Sequence, residues 1–176
     1  MEKWVSRTLA AAGVAAAMAC GGSSATSPTP TQAASEDFST TMNGSSEVPS
    51  VTTSATGKAA FVHEGDSVRF SIDITGLSGI TDVKIFSGTP AQNGTARVSL
   101  FHADTPTGTI NGNLVKGVFK AANVTGQSLD AELTEIRAAN AYVNVLTTAN
   151  TGGTIRGQLG TASNPDDPFF VLRRGN

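Results

Sequence analysis

One cysteine, Cys20, is all that the 176-residue chain carries. That excludes an intrachain disulfide framework and a cysteine-rich zinc site. Basic runs are missing too: none is longer than Arg173-Arg174, the formal net charge is -2 and the pI is near 5.6. The chain lacks the electrostatic footprint of nucleic-acid binding. It has no Gly-x-Ser-x-Gly elbow, no Gly-x-Gly-x-x-Gly turn and no phosphate loop, so the usual signatures of a serine nucleophile or a bound nucleotide are absent. Catalysis needs a positioned acid, base or nucleophile. No motif supplies one, so no catalytic residue, metal ligand or cofactor is assigned and the chain reads as a non-enzyme. Aromatics and charged residues are sparse, at 6% and 15%, against 39% apolar residues and 19 glycines. This composition suits one small β-rich domain with appended segments.

Residues 1–20 read as a targeting segment, to be kept apart from the fold. Lys3 and Arg7 precede an apolar run from Thr8 to Met18. A bilayer crossing takes roughly 20 such residues, so this run fits a signal h-region instead. Ala17-Met18-Ala19-Cys20 then resembles the bacterial lipobox, in which the cysteine is acylated and becomes the first residue. The expected address is the cell envelope, with the membrane as a partner through a lipid on Cys20. A signal peptide cut without lipidation, giving a secreted or periplasmic protein, is the alternative. Residues 21–35 form a Gly/Ser/Thr/Pro-rich linker without the apolar residues that would offset ordering entropy.

The folded domain is expected over 36–160. Val68, Phe70, Ile72 and Ile74 alternate with polar residues, as do Val83 with Ile85 and Ala96 with Val98 and Leu100, while Phe86 interrupts a polar face. Such period-two patterning marks half-buried strands. Weaker runs lie at 37–43, 55–63 and 109–119, and Glu64-Gly-Asp66, Gly76-Leu-Ser-Gly79, Gln92-Asn-Gly94 and Asp104-Thr-Pro-Thr-Gly108 mark turns. The expected class is all-β, an antiparallel β-sandwich of Greek-key-like type. Leu129, Leu133 and Ile136 instead fall at helical spacing, with Asp130 and Glu132 early and Arg137 late. They predict one short helix at 129–138, capped by Ser128 and stopped at Asn140. A hairpin follows: Tyr142, Asn144 and Leu146 face one way and Val143, Val145 and Thr147 the other, with Ile155, Gly157 and Leu159 alternating with Thr154, Arg156 and Gln158. The tail at 161–176 contains the apolar run Phe169–Leu172, expected to dock on the domain.

Met42-Asn-Gly-Ser-Ser-Glu-Val-Pro49, Ala55-Thr-Gly57, Phe70-Ser-Ile-Asp-Ile-Thr-Gly-Leu77, Ile136-Arg-Ala-Ala-Asn-Ala-Tyr-Val-Asn-Val145 and Gly152-Gly-Thr-Ile-Arg-Gly-Gln-Leu159 together resemble the CHRD domain. That domain is named for its occurrence in chordin and also occurs singly in bacterial secreted proteins. The resemblance spans Phe38 to Gly160 and implies a β-sandwich with no assigned enzyme activity. Single-domain bacterial members usually carry His-x-His where this chain has Lys84-Ile85-Phe86, and a hairpin histidine where it has Leu146. Histidines at i and i+2 share a strand face and could serve a metal. With Lys84, Phe86 and Leu146 in those places, a metal-binding or redox role is the disfavoured alternative. Phe86 and Leu146 would instead form an apolar plug if adjacent. His63 and His102 each stand without a second histidine at ligand spacing. The polar candidates left inside the motifs are Glu47, Asn144 and Arg156. A carboxylate such as Glu47 would suit the planar Arg156 guanidinium; the structural reading is an ion pair or backbone hydrogen bonds that fix the sandwich, and the other reading is part of a ligand site. The expected role is a binding module for another envelope protein, partner unknown.

Overall fold

A computed structural model describes residues 35–161. The signal-like segment with Cys20, the linker up to residue 34 and the tail with Phe169–Leu172 lie outside the described residues. Nine strands and one helix follow in order: β1 (Glu36–Asn43), β2 (Thr56–Glu64), β3 (Ser67–Leu77), β4 (Ile80–Ser87), β5 (Ala96–His102), β6 (Ile110–Lys120), α1 (Leu129–Arg137), β7 (Ala141–Thr147), β8 (Ile155–Gln158) and β9 (Gly160–Thr161). All the strand pairs are antiparallel, in the order β5-β4-β7-β8-β1-β2-β3-β6, with β9 beside β1. Strands β1, β2 and β3 make a meander and β8 returns beside β1, which gives the Greek-key-like order 8-1-2-3. The two end strands approach each other: Val98 of β5 bridges Val124, just past β6, and Thr125 N–H donates to the Arg97 carbonyl at 2.8 Å. The sheet is thereby folded into a sandwich-like, nearly closed barrel, which leaves little free edge.

The alternation read from the sequence sets the inside. Val68, Phe70, Ile72 and Ile74 of β3 are buried, as are Phe38, Phe61, Val83, Ile85, Val98, Val143, Val145 and Ile155. Burying each such side chain is worth about 1.5–3 kcal/mol. The phenyl rings of Phe61, Phe70 and Phe119 lie in a row, with centroids 6.2 and 6.3 Å apart. Gly117 makes room for Phe70, since a Cβ there would sit 2.7 Å from the ring.

Helix α1 forms where its periodicity places it. Ser128 Oγ accepts from Ala131 N–H at 3.2 Å, while Asp130 lies in the first turn and Arg137 in the last. Arg137 also reaches across to Glu36 on β1, with Nε 2.9 and 3.0 Å from its two carboxylate oxygens. Two details differ from the expectation. The helix ends at Arg137, one residue short of the expected 138: Ala138 caps it and Ala139 takes φ 55°, so that Asn140 N–H reaches the Glu135 carbonyl and Ala139 N–H the Ile136 carbonyl. This is a Schellman closure with alanine where glycine is usual. Glu132, expected only as a dipole partner, turns inward with Leu129, Leu133 and Ile136 and is fully buried.

Candidate functional site

Strand β7 lies between β4 and β8, with Lys84 opposite Asn144 opposite Arg156, and Phe86 opposite Tyr142 opposite Gln158. Strand alternation sends these residues to the face away from the core. In an ordinary half-buried sheet they would be wet. Here Tyr142 and Arg156 are each 1% exposed and Asn144 2%, because two connections are bound across them. One is the segment 44–55 between β1 and β2; the other is the segment 88–95 between β4 and β5.

Arg156 holds the second connection. Its terminal nitrogens donate to the Thr89 carbonyl at 2.8 Å, the Gln92 carbonyl at 3.0 Å and Asn93 Oδ1 at 3.2 Å. The guanidinium carbon sits 3.3 Å from the centroid of the Tyr142 ring, a favourable placement of a cation on an aromatic face. Phe86 stacks on the same tyrosine, with centroids 5.4 Å apart and planes at 10°. The Tyr142 hydroxyl accepts from Gly94 N–H at 3.1 Å. Burial draws Arg156 below its ordinary pKa, opposed by Tyr142 and Glu47. Gln158 adds donations to the carbonyls of Gly88, Ala139 and Ala141 at 2.8, 2.7 and 2.9 Å.

The first connection is fastened at Gly44, whose carbonyl accepts from Val51 N–H at 2.9 Å and Glu47 N–H at 3.2 Å. Asn93 joins the two covers, since its Nδ2 donates to the Val48 carbonyl at 2.6 Å. Glu47, 6% exposed, brings Oε2 to within 3.5 Å of Asn144 Nδ2. Asn144 Nδ2 also donates to the Gly152 carbonyl at 3.0 Å. Glu47 Oε1 and Asn144 Oδ1 are buried without a hydrogen-bond partner. Burial pushes the Glu47 carboxyl up to about 7, against the lowering effects of Arg156 and Asn144. Gly153 is required beside this pair: its φ is 133°, and a Cβ there would overlap the Asn144 amide.

Of the candidates from sequence, Glu47, Asn144 and Arg156 are thus brought to one covered face. Of the two structural roles expected for Arg156, backbone hydrogen bonds are the one seen: its donors go to the Thr89 and Gln92 carbonyls and to Asn93 Oδ1, and among the described residues no Glu47–Arg156 ion pair is formed. The apolar plug is corrected. Leu146 lies opposite Asp82, whereas Phe86 lies opposite Tyr142; four residues of strand separate them by about 13 Å. Lys84 pairs with Asp82 at 3.0 Å, and His102 Nδ1 meets the same carboxylate oxygen at 3.0 Å. Although burial acts to raise Asp82, its bonds to Lys84 and His102 bring it below the ordinary value. His63 Nε2 lies 2.9 Å from the Gly65 carbonyl. No group of three or more His, Cys, Asp or Glu poised for a metal ion occurs among the described residues, and none of their helices is long and apolar enough to cross a membrane.

Sequence reasoning missed the participation of Tyr142 and Gln158, although both stand in the end motif and face the same way as Asn144 and Arg156. It also missed the carbonyls of 88–95, which carry no signature beyond the turn at Gln92-Asn93-Gly94. A family model, the CHRD domain, matches residues 38–159. The chain belongs to the CHRD-domain family. No curated protein and no solved structure matches it significantly. The match begins at Phe38 of β1 and ends at Leu159, so the covered face and both of its covers fall within the CHRD domain.

Proposed function

We propose that this CHRD-domain chain is a non-enzymatic envelope protein, exported, anchored through an acylated Cys20, and acting as a binding module for another envelope component. The observation that carries the reading is the way the most recognisable polar residues are used. Arg156 spends its donors on the Thr89, Gln92 and Asn93 oxygens, and Tyr142 and Gln158 are likewise engaged within the domain. A group so committed holds a fold together and is poorly placed to act on a substrate. The lipobox-like Ala17-Met18-Ala19-Cys20 and the polar linker behind it suit an anchor and tether, since several acyl chains on Cys20 would hold firmly where a single chain is marginal.

Two experiments test this. Metabolic labelling with a fatty-acid probe should mark the wild-type chain and fail on Cys20→Ala; label kept by the variant rules out the anchor. Cross-linking in intact cells should capture a discrete envelope component through the domain. A purified chain that turns over an envelope polymer or ester would contradict the non-enzymatic reading.

A further inference from the structure

We propose that Glu47 is a proton-operated latch: its neutral acid fastens the 44–55 segment to the β7–β8 hairpin by donating to Asn144, and ionisation loosens that segment. The geometry supplies both halves of the bond. Asn144 is oriented by its donation to the Gly152 carbonyl, which an exchange of its oxygen and nitrogen would lose. That oxygen and Glu47 Oε1 are both buried acceptors without a donor, on side chains already in contact. Leaving a buried acceptor unsatisfied costs about 1–3 kcal/mol. Two orphan acceptors on contacting side chains cannot satisfy each other, but a proton on the carboxyl supplies the donor that the pair lacks.

The surroundings contain little else that titrates. Segment 44–55 has no ionisable residue besides Glu47, and neither 88–95 nor 148–154 has any. Arg156 on β8 is the charge that favours ionisation of Glu47, and it is already committed to loop oxygens and to the ring of Tyr142 on β7. Lys84 on β4, opposite Asn144, is tied to Asp82. The acid therefore lacks a direct ionic partner to hold its charge. Its folded value, about 7, stands above the ordinary 4.5. A raised carboxyl of this kind contributes stability that is fully present below the unfolded value and is lost as pH climbs through the folded one. The window is pH 4.5 to 7.

The test compares full-length wild type with Glu47→Gln, whose amide donates at every pH. Between pH 4.5 and 8 the wild-type folding constant should fall on the order of a hundredfold, by tenfold per unit of pKa difference. The variant should lose the part of that slope due to Glu47, and the backbone amides at positions 47 and 51 of wild type should exchange faster above pH 7, relative to intrinsic rates, than the same positions in the variant. Parallel pH profiles in the two proteins would overturn the proposal. Should the variant fail to fold, infrared difference spectroscopy of isotope-labelled wild type decides: a protonated-carboxyl band assigned to Glu47 at pH 5.5 supports the latch, and an ionised Glu47 at that pH refutes it. Neither readout depends on Cys20 or on any partner, so the latch and the envelope-binding role fail separately.

Discussion

On the inner face of the β7–β8 hairpin, Val143, Val145 and Ile155 are wholly buried among other apolar side chains. On the outer face, Tyr142, Asn144 and Arg156 are almost as dry, yet they are covered by irregular chain and bound to it by hydrogen bonds. The inner face is held by area removed from water, which is non-directional and tolerates swaps of similar volume. The outer face is held by donors and acceptors whose loss leaves partners stranded in a dry place. Equal burial therefore does not mean equal tolerance. It explains why the outer face carries the most recognisable residues although none has been given a catalytic task.

The largest effect should come from breaking the outer face. Arg156→Ala leaves the Gln92 carbonyl and Asn93 Oδ1 without this donor and the Thr89 carbonyl with the Gln92 N–H alone, and urea unfolding should show a loss of about 4 kcal/mol, at about 1–3 kcal/mol for each orphaned group. Arg156→Lys should recover only part of it, because an ammonium cannot reproduce the planar fork. On the inner face, Ile155→Ala should cost about 3 kcal/mol, while Ile155→Val, which keeps most of the volume, should cost about 1 kcal/mol. If Arg156→Lys proves as mild as Ile155→Val, the distinction between the faces collapses.

Equal in size to Ile155→Val, and opposite in sign, is a change that alters no side chain of either face. Ala139→Gly, at the left-handed position closing α1, should stabilise the domain by about 1 kcal/mol, since an alanine is strained at φ 55°. It calibrates how much the backbone before β7 contributes on its own. Glu132 offers a second buried acid for comparison with Glu47. Burial raises it, and Gln127 Nε2 donates to its Oε2 at 2.6 Å while its Oε1 has no partner. By the same sign argument its raised acid favours the fold at low pH and loses that contribution as pH rises. Glu132→Gln should flatten part of the pH dependence of stability that Glu47→Gln leaves behind, as read from thermal midpoints across pH.

Much of the inner face was legible in the sequence, because period-two alternation records directly which side chains leave water. The Ser128 cap and the 3.6-residue stripe of α1 were legible for the same kind of reason: each is a local rule. What could not be read was pairing at a distance. The separation of Phe86 from Leu146 depends on the β4–β7 register, and no local pattern in either strand states which residue of the other it meets. The partners of Arg156 are two backbone carbonyls and the Asn93 side chain of 88–95; a carbonyl has no identity in a sequence, so backbone bonding could be expected for Arg156 but its partners could not be named. Glu132 was misread because an acidic residue in a first turn satisfies the dipole whether it points out or in.

The central claim is that Arg156 fastens the 88–95 segment to the outer face of the hairpin. Amide hydrogen exchange in wild type and Arg156→Lys tests it most directly. The Gln92 and Gly94 amides, bonded to the Thr89 carbonyl and the Tyr142 hydroxyl, should lose protection in the variant while the paired amides of β2 and β3 retain theirs. Unchanged protection at Gln92 and Gly94 would contradict the account.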